Sequence, residues 1–144
     1  MSTESNKTVA RREAEEFEGK GNLKIADEVF AANYRLHFPG YPPMDVEGHK
    51  MLISAFRGGF PDMSVIVEEQ VSEGNRVTNR VKMTGTNTGN FQGMPASGKQ
   101  VTITGINIMR FEGDQIVEIR GVLDVMGLMQ QLGAIPAPAQ PEMQ

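Results

Sequence analysis

The chain has 144 residues, a length that suits one domain with a single hydrophobic core. Its 14 Lys and Arg residues against 18 Asp and Glu residues give a formal net charge of −4. This charge argues against a general nucleic-acid-binding protein, because such proteins carry a basic face. The sequence has no Cys, no continuous apolar stretch of about 18 residues and a polar N-terminus. We therefore expect a cytoplasmic protein without disulfides, membrane helices or a secretory signal.

The first half of the chain predicts helices. Ala10, Ala14 and Phe17 recur at helical spacing with charged residues between them, and Gly19 ends this first helix. Asn22 is expected to cap a short second helix. An extended segment over residues 34–38, a proline-rich loop and a third helix over residues 47–57 follow.

The second half predicts strands. Apolar residues alternate with polar ones over residues 63–71 and 77–83, and longer strands are expected over 101–111 and 116–125. A glycine-rich loop over residues 86–99 separates the two pairs.

A short apolar helix over residues 125–132 closes the predicted domain. Helices followed by a meander of antiparallel strands indicate an α+β fold. The sheet must curve for so few helices to cover its concave face, and this arrangement leaves a hollow suited to a small molecule. We assign residues 1–136 to one domain. Residues 137–144, rich in Pro, Ala and Gln, are expected to form a flexible tail.

Asp124 is the only ionisable residue between positions 121 and 141. Its apolar neighbours favour partial desolvation, which raises the pKa of a carboxyl group toward the range of a general acid or base. Asp is also a preferred residue at the start of a helix, so Asp124 is equally expected to cap the last helix. The two roles are compatible.

The predicted last strand has two chemically different faces. Glu118, Arg120, Val122 and Asp124 share one face, and aliphatic residues share the other. We expect the polar face to line the hollow and the aliphatic face to contact a second subunit; the ordinary amphipathic arrangement is the alternative. Glu118 and Arg120 are close enough along the strand to pair.

Arg110 and the two histidines are the other candidates. A three-residue loop after Phe111 would place Arg110 on the side of Glu118, and a two- or four-residue loop would place it on the other side. His37 is expected at the mouth of the hollow, with a structural role as the alternative, and His49 is expected to be exposed. The histidines lie twelve residues apart without an acidic residue at ligand spacing, so no metal site is predicted.

Five segments of the second half of the chain form a recognisable pattern: GTNTG at 85–89, GMPASGK at 93–99, GINIMRF at 105–111, QIVE at 115–118 and DVMGLMQQLG at 124–133. Together they resemble one family, the polyketide-cyclase-like (SnoaL-like, ester cyclase) proteins of the NTF2-like superfamily. The resemblance implies a cone-shaped α+β fold with a curved antiparallel sheet, helices on its concave face and an internal pocket, usually in a homodimer.

The resemblance also implies residue roles. In polyketide cyclases, an aspartate just before the last helix is the general acid and base of an aldol ring closure that needs no cofactor. Asp124 falls at that position, and Arg120 matches an arginine of the same strand. Arg110, Phe17 and a residue near Ile53 replace a pocket histidine, a tyrosine and an asparagine of those enzymes.

The sequence therefore predicts a cofactor-independent enzyme for an apolar, carbonyl-containing small molecule. Asp124 would move a proton, and Arg110 or Arg120 would stabilise the enolate oxygen. The alternatives are epoxide hydrolysis by Asp124, an arginine and Glu118, and non-catalytic binding of an apolar ligand. The residues expected to contact the ligand are His37, Phe17, Ile53, Glu118 and Val122.

Overall fold

The computed structural model describes residues 3–136, so the predicted tail at 137–144 lies outside the described residues. No helix within this described span is both long and apolar enough to cross a membrane. The helices are α1 (Thr3–Arg12), α2 (Ala26–Val29), α3 (Val46–Gly59) and α4 (Val125–Leu132). Helix α1 continues as a π-helical turn (Glu13–Glu18), and a 3₁₀ turn (Leu23–Ile25) precedes α2. The strands are β1 (Phe30–His37), β2 (Ser64–Glu73), β3 (Arg76–Thr86), β4 (Gln100–Glu112) and β5 (Gln115–Leu123).

The five strands form one mixed sheet in the order β1-β5-β4-β3-β2. Strands β2 to β5 make the predicted antiparallel meander, because each pairs antiparallel with the next. Strand β1 comes from the helical half of the chain and pairs parallel with β5 at the sheet edge. The predicted α+β arrangement is therefore confirmed, and β1 makes the sheet mixed.

The face of the sheet that carries the aliphatic residues is covered by the helices. On β3, Val77, Asn79, Val81 and Met83 are buried, and the residues between them are more exposed. On β5, Ile116 and Ile119 are buried in the core opposite Phe111 and Met109 of β4. This alternation follows from the two-residue repeat of a strand, which puts every second side chain on the covered face.

Close packing of the first helical segment against the sheet depends on Gly19. A Cβ atom at this position would lie 2.6 Å from the carbonyl oxygen of Glu15 and 2.8 Å from the amide nitrogen of Val65. The absence of a side chain therefore lets the end of the π-helical turn contact β2. The predicted end of the first helix at this glycine is confirmed.

Aspartates cap the N-termini of helices α3 and α4. Asp45 accepts a hydrogen bond from the Gly48 amide at 2.9 Å at the start of α3. Asp124 accepts one from the Gly127 amide at 2.9 Å at the start of α4. Each carboxylate satisfies an amide that has no partner within its helix. The capping role predicted for Asp124 is confirmed.

The turn between β4 and β5 decides the position of Arg110. Glu112 pairs with Gln115, so the loop has two residues, which by itself would turn Arg110 away from Glu118. A bulge between Arg110 and Phe111 shifts the register by one residue and places Arg110 opposite Glu118. Arg110 is therefore on the side of Glu118, although the loop has two residues and not three.

Candidate functional site

A cavity lies between the covered face of the sheet, α3 and the end of the π-helical turn. It contains about 640 Å³ of empty space when its open mouth is included. A second depression shares its mouth and is lined in part by α4. We call the first space the inner cavity; its lining residues are Glu18, Leu36, Phe38, His49, Leu52, Ile53, Phe56, Met63, Val65, Val81, Met83, Ile106, Asn107, Ile119, Gly121, Val122 and Leu123.

Three polar side chains interrupt the apolar lining of the inner cavity. Glu18 and His49 are the only ionisable residues among those that line it, and Asn107 is the only amide. A mostly apolar cavity with a few convergent polar groups is typical of a small-molecule site, because the apolar walls supply affinity and the polar groups fix orientation.

His49 is at the centre of the polar end. It lies in the first turn of α3 and is 2% exposed, so the prediction that it is exposed is wrong. Its ring packs edge-on against Phe17, with centroids 5.0 Å apart. Its Nδ1 lies 3.0 Å from the hydroxyl of Tyr34, and its Nε2 lies 3.6 Å from Glu18 Oε2 and 3.9 Å from Glu13 Oε2.

Tyr34 fixes the orientation of this ring. Burial raises the pKa of the Tyr34 phenol well above its usual value, and the neighbouring charges of Glu13 and Glu18 raise it further. The hydroxyl therefore keeps its proton, and the direction of its hydrogen bond with His49 Nδ1 depends on which ring nitrogen carries the hydrogen. When Tyr34 donates to Nδ1, the hydrogen of the neutral ring is on Nε2, which faces the two carboxyl groups.

The surroundings shift the pKa values of the two carboxyl groups in opposite directions. Burial raises the pKa of Glu13 well above its usual value, and the nearby Glu18 carboxylate raises it further. Burial acts in the same direction on Glu18, but interactions with Glu13 and His49 outweigh it and lower the pKa of Glu18. The cluster therefore favours the protonated form of Glu13 and the ionised form of Glu18.

Glu13, Glu18 and His49, which we call the acid–histidine cluster, could also hold a metal ion. One ligand atom from each residue lies within 4.8 Å of the other two. The sequence predicted no metal site because the spacing along the chain offered no acidic ligand to a histidine. The fold supplies those ligands by packing the end of the first helical segment against α3.

An amide ladder directs Asn107 into the inner cavity. Gln70 Nε2 donates to the backbone oxygen of Lys7 and to Asn79 Oδ1, each at 3.0 Å. Asn79 Nδ2 then donates to Asn107 Oδ1 at 2.8 Å. Because a backbone oxygen can only accept, it fixes the orientation of all three amides. The Nδ2 group of Asn107 has no hydrogen-bond partner within residues 3–136 and is left for a ligand.

A family model described as SnoaL-like polyketide cyclase matches residues 8–132, most of the chain and all of the elements that form the inner cavity except the first residues of α1. The chain belongs to the SnoaL-like polyketide cyclase family. The resemblance on which the sequence analysis relied is therefore confirmed.

Solved structures agree with this assignment. A candidate SnoaL-like polyketide cyclase from Jannaschia sp. CCS1 is 25% identical, with a TM-score of 0.83 over 93% of this chain and 95% of the other. IdmH, a candidate polyketide cyclase from Streptomyces antibioticus, is 29% identical, with a TM-score of 0.79 over 90% and 98%. AclR, a candidate hydroxylase from Streptomyces galilaeus, shares the fold at 20% identity, with a TM-score of 0.86 over 96% and 87%. Among curated proteins, no sequence matches significantly.

In this SnoaL-like chain, the charged residues of β5 lie outside the inner cavity. Asp124 and Arg120 are exposed, and the inner cavity is lined by Ile119 and Leu123, with Val122 reaching it from the charged face. The prediction that the charged residues of this face line the hollow is wrong, because the helices bury the aliphatic face and leave the charged side chains to water. The catalytic roles of Asp124, Arg120 and Arg110 stay predictions.

The charged face of β5 carries an outer ion cluster around Glu118. The predicted pair with Arg120 is present, with Arg120 Nε 3.2 Å from Glu118 Oε1. Arg110 Nε lies 3.9 Å from the same oxygen, and His37 Nε2 lies 3.8 Å from Glu118 Oε2. His37 and Arg120 line an open depression beside the mouth of the inner cavity, which is close to the place predicted for His37.

The other ligand-contact candidates have separate outcomes. Ile53 and Val122 line the inner cavity, and their contact with a ligand stays a prediction. Phe17 is fully buried in the core and packs against His49, so it supports the cavity from behind. Glu118 is in the outer ion cluster and does not line the inner cavity.

The sequence analysis missed the acid–histidine cluster, although a signal for it was present. Glu13 falls within the apolar stripe of Ala10, Ala14 and Phe17, at positions i, i+3, i+4 and i+7. His49 precedes Ile53 by four residues on the buried side of α3. An ionisable residue within an apolar stripe indicates a buried group that needs a partner.

Proposed function

We propose that this SnoaL-like protein is a cofactor-independent enzyme that moves a proton at a carbon next to a carbonyl group of a mostly apolar small molecule, as an aldol-type ring closure requires. One observation carries the proposal. The lining of the inner cavity is apolar except for Glu18, His49 and Asn107, so these three side chains supply its polar chemistry.

Glu18 is the proposed base. Its side chain is 26% exposed and lines the inner cavity, whereas Glu13 is fully buried behind it. A carboxylate at the edge of an apolar cavity can reach a substrate carbon and accept its proton. His49 acts on Glu18 as a positioning residue, because its own ring is held by Tyr34 at 3.0 Å.

Asn107 is the proposed partner of the substrate oxygen. When a proton leaves the carbon, negative charge develops on the carbonyl oxygen, and a fixed amide donor stabilises that charge. The ladder through Asn79 and Gln70 holds the Asn107 amide before the substrate arrives. The remaining walls would contact the apolar body of the substrate.

Asp124 is the competing base because it falls at the position of the cyclase aspartate. Its exposure and its bond to Gly127 give it less support than Glu18. Epoxide hydrolysis is supported less for the same reason, since Glu118 and Arg120 belong to the outer ion cluster and not to the inner cavity.

Hydrogen–deuterium exchange at carbon tests the proposal with simple ketones in place of the natural substrate. A panel of benzo-fused cyclic ketones such as 2-tetralone is incubated with the protein in D₂O, and mass spectrometry follows exchange at the carbon beside the carbonyl. The wild type is expected to accelerate exchange. Glu18→Gln should lower the rate by about 100-fold or more, because it removes the base and keeps the shape.

Asp124→Asn is the matched control, because it also replaces one carboxylate by an amide. It should leave the exchange rate unchanged. If Asp124→Asn abolishes exchange and Glu18→Gln does not, the base is Asp124 and our assignment is wrong. If the wild type binds the ketones but exchanges none of them, the alternative of non-catalytic binding replaces the enzymatic proposal.

A further inference from the structure

We propose that the acid–histidine cluster is a binding site for a divalent transition-metal ion such as Zn²⁺ or Co²⁺. We further infer that a bound ion switches off proton transfer because it occupies Glu18, and this second half rests on the function proposed above. The ion would lie at the closed end of the inner cavity, between Glu13, Glu18 and His49.

The distances between the donor atoms suit such an ion. Tetrahedral zinc with bonds of about 2.1 Å separates its ligand atoms by about 3.4 Å. His49 Nε2 lies 3.6 Å from Glu18 Oε2 and 3.9 Å from Glu13 Oε2. These two distances are within about 0.5 Å of the tetrahedral separation, and all three donor atoms lie within 4.8 Å of one another.

Glu13 is the independent reason to expect a ligand here. Its side chain is fully buried, and neither carboxyl oxygen has a hydrogen-bond partner within the described part of the chain. Such oxygens are costly to bury, because they have lost their hydrogen bonds to water. The Glu18 carboxylate and the His49 ring are their polar neighbours. Glu13 Oε2 faces His49 Nε2, so an ion between them would coordinate the oxygen that lacks a partner.

The donor set selects the class of metal. One imidazole nitrogen and two carboxylates suit zinc and its neighbours in the first transition series, whereas Ca²⁺ prefers six to eight oxygen ligands. Two carboxylates also balance a charge of +2 in a buried place. Tyr34 would orient the coordinating ring of His49, because its hydroxyl oxygen can accept the Nδ1 hydrogen of a histidine that coordinates through Nε2.

The inhibitory effect follows from the position of Glu18. This residue lines the inner cavity and is the proposed base. A carboxylate oxygen that coordinates a metal ion cannot accept a proton from the substrate at the same time. Metal binding and proton transfer would therefore exclude each other.

Titration of the metal-free full-length protein with Co²⁺, followed by visible absorption, and with Zn²⁺, followed by calorimetry, tests the site. One ion per chain is expected to bind. Bound Co²⁺ is expected to show the visible absorption bands of a coordination geometry with low symmetry. Glu13→Gln and His49→Gln should each weaken binding at least 10-fold. Tyr34→Phe should weaken metal binding by roughly 10- to 100-fold, because the coordinating His49 ring loses the hydrogen bond that orients it. Circular dichroism and a thermal melt check that each variant folds.

His37→Gln is the matched control, because the chain has only two histidines and His37 also lies near a glutamate. It should leave metal affinity unchanged. The site is refuted if the wild type does not bind either ion, or if His37→Gln weakens binding as much as His49→Gln. Glu13→Gln keeps the shape of the side chain. If His49→Gln does not fold, the metal affinity of Glu13→Gln therefore decides whether the acid–histidine cluster binds the ion.

The switch is tested separately in the exchange assay. Zn²⁺ should slow exchange by the wild type and leave the residual rate of Glu13→Gln unaffected at the same concentration. If the ion binds without slowing exchange, the switch is wrong and the site remains. If no ketone exchanges, the proposed function and the switch fail together, whereas the binding titrations still decide the metal site.

Discussion

A carboxyl group without a hydrogen-bond partner is costly inside a protein, and Glu13 is such a group among residues 3–136. It lies on the stripe of the first helical segment that an ordinary amphipathic helix fills with apolar residues. His49 occupies the corresponding place on α3, with Ile53 one turn further on. Single residues that break an apolar stripe therefore mark the polar end of the inner cavity, whereas exposed charges do not.

At the same scale, Asp62 shows how one exposed carboxylate ties a loop to a strand. Its Oδ1 accepts from the Thr86 amide and its Oδ2 accepts from the Thr86 hydroxyl, each at 2.7 Å. These two bonds lower the pKa of Asp62 below its usual value. A lowered pKa means that the ionised form is stabilised by folding.

We expect Asp62→Asn to lower the free energy of unfolding at neutral pH. The contribution of Asp62 is complete above the unfolded pKa of about 3.9 and is lost as the pH falls through the lower pKa of the folded state. The difference between wild type and variant should therefore shrink in strong acid. Urea denaturation at a series of pH values measures it, and a difference that does not change with pH would contradict this account.

At the scale of the elements, the ends of helices and the joins between strands decide which side chains meet. Asp124 begins α4 through its bond to Gly127. The bulge beside Phe111 moves Arg110 to the side of Glu118, although the turn alone would separate them. Both features are local, but only the cap has a sequence preference strong enough to predict.

The cap leads to a prediction for the stability of α4. Asp124→Ala should lower the free energy of unfolding by about 1 kcal/mol, because the Gly127 amide loses its acceptor. Asp124→Asn should have almost no effect, since Asn caps helices as well as Asp does. Chemical denaturation of the two variants checks this, and an equal loss in both would show that the charge of Asp124 matters more than the cap.

At the scale of the whole molecule, the helices cover one face of the sheet and leave the other to water. The uncovered face bears the outer ion cluster and also carries Ile106, Ile108 and Val122, which are 50%, 44% and 54% exposed. The aliphatic side of β5, which we expected to meet a second subunit, lies inside the fold. The homodimer stays a prediction, and the uncovered face is the place where the remaining apolar surface lies.

If this face joins two chains, light scattering after size exclusion should give twice the chain mass of 15.8 kDa. Ile108→Lys should then shift the mass toward that of one chain, because a charge in an apolar contact must lose water without a partner. Ser54→Lys is a suitable control, because Ser54 is exposed on α3, which lies on the other side of the sheet. A wild type with the mass of one chain at all concentrations would refute the dimer.

The amino-acid sequence by itself determined the order of helices and strands, the α+β class, the cap at Asp124 and the family, because periodicity, capping and family motifs are written in short stretches of chain. Only the tertiary structure decided which face of β5 is covered and that Glu13, Glu18, His49 and Tyr34 meet. These residues come from three elements, the π-helical turn, β1 and α3, and nothing in the spacing of these elements along the chain fixes the distances between them. The bulge in β5 opposite Arg110 and Phe111 is a further feature that only the tertiary structure decided, because a shift of one residue reverses a face without altering the alternation that predicts a strand.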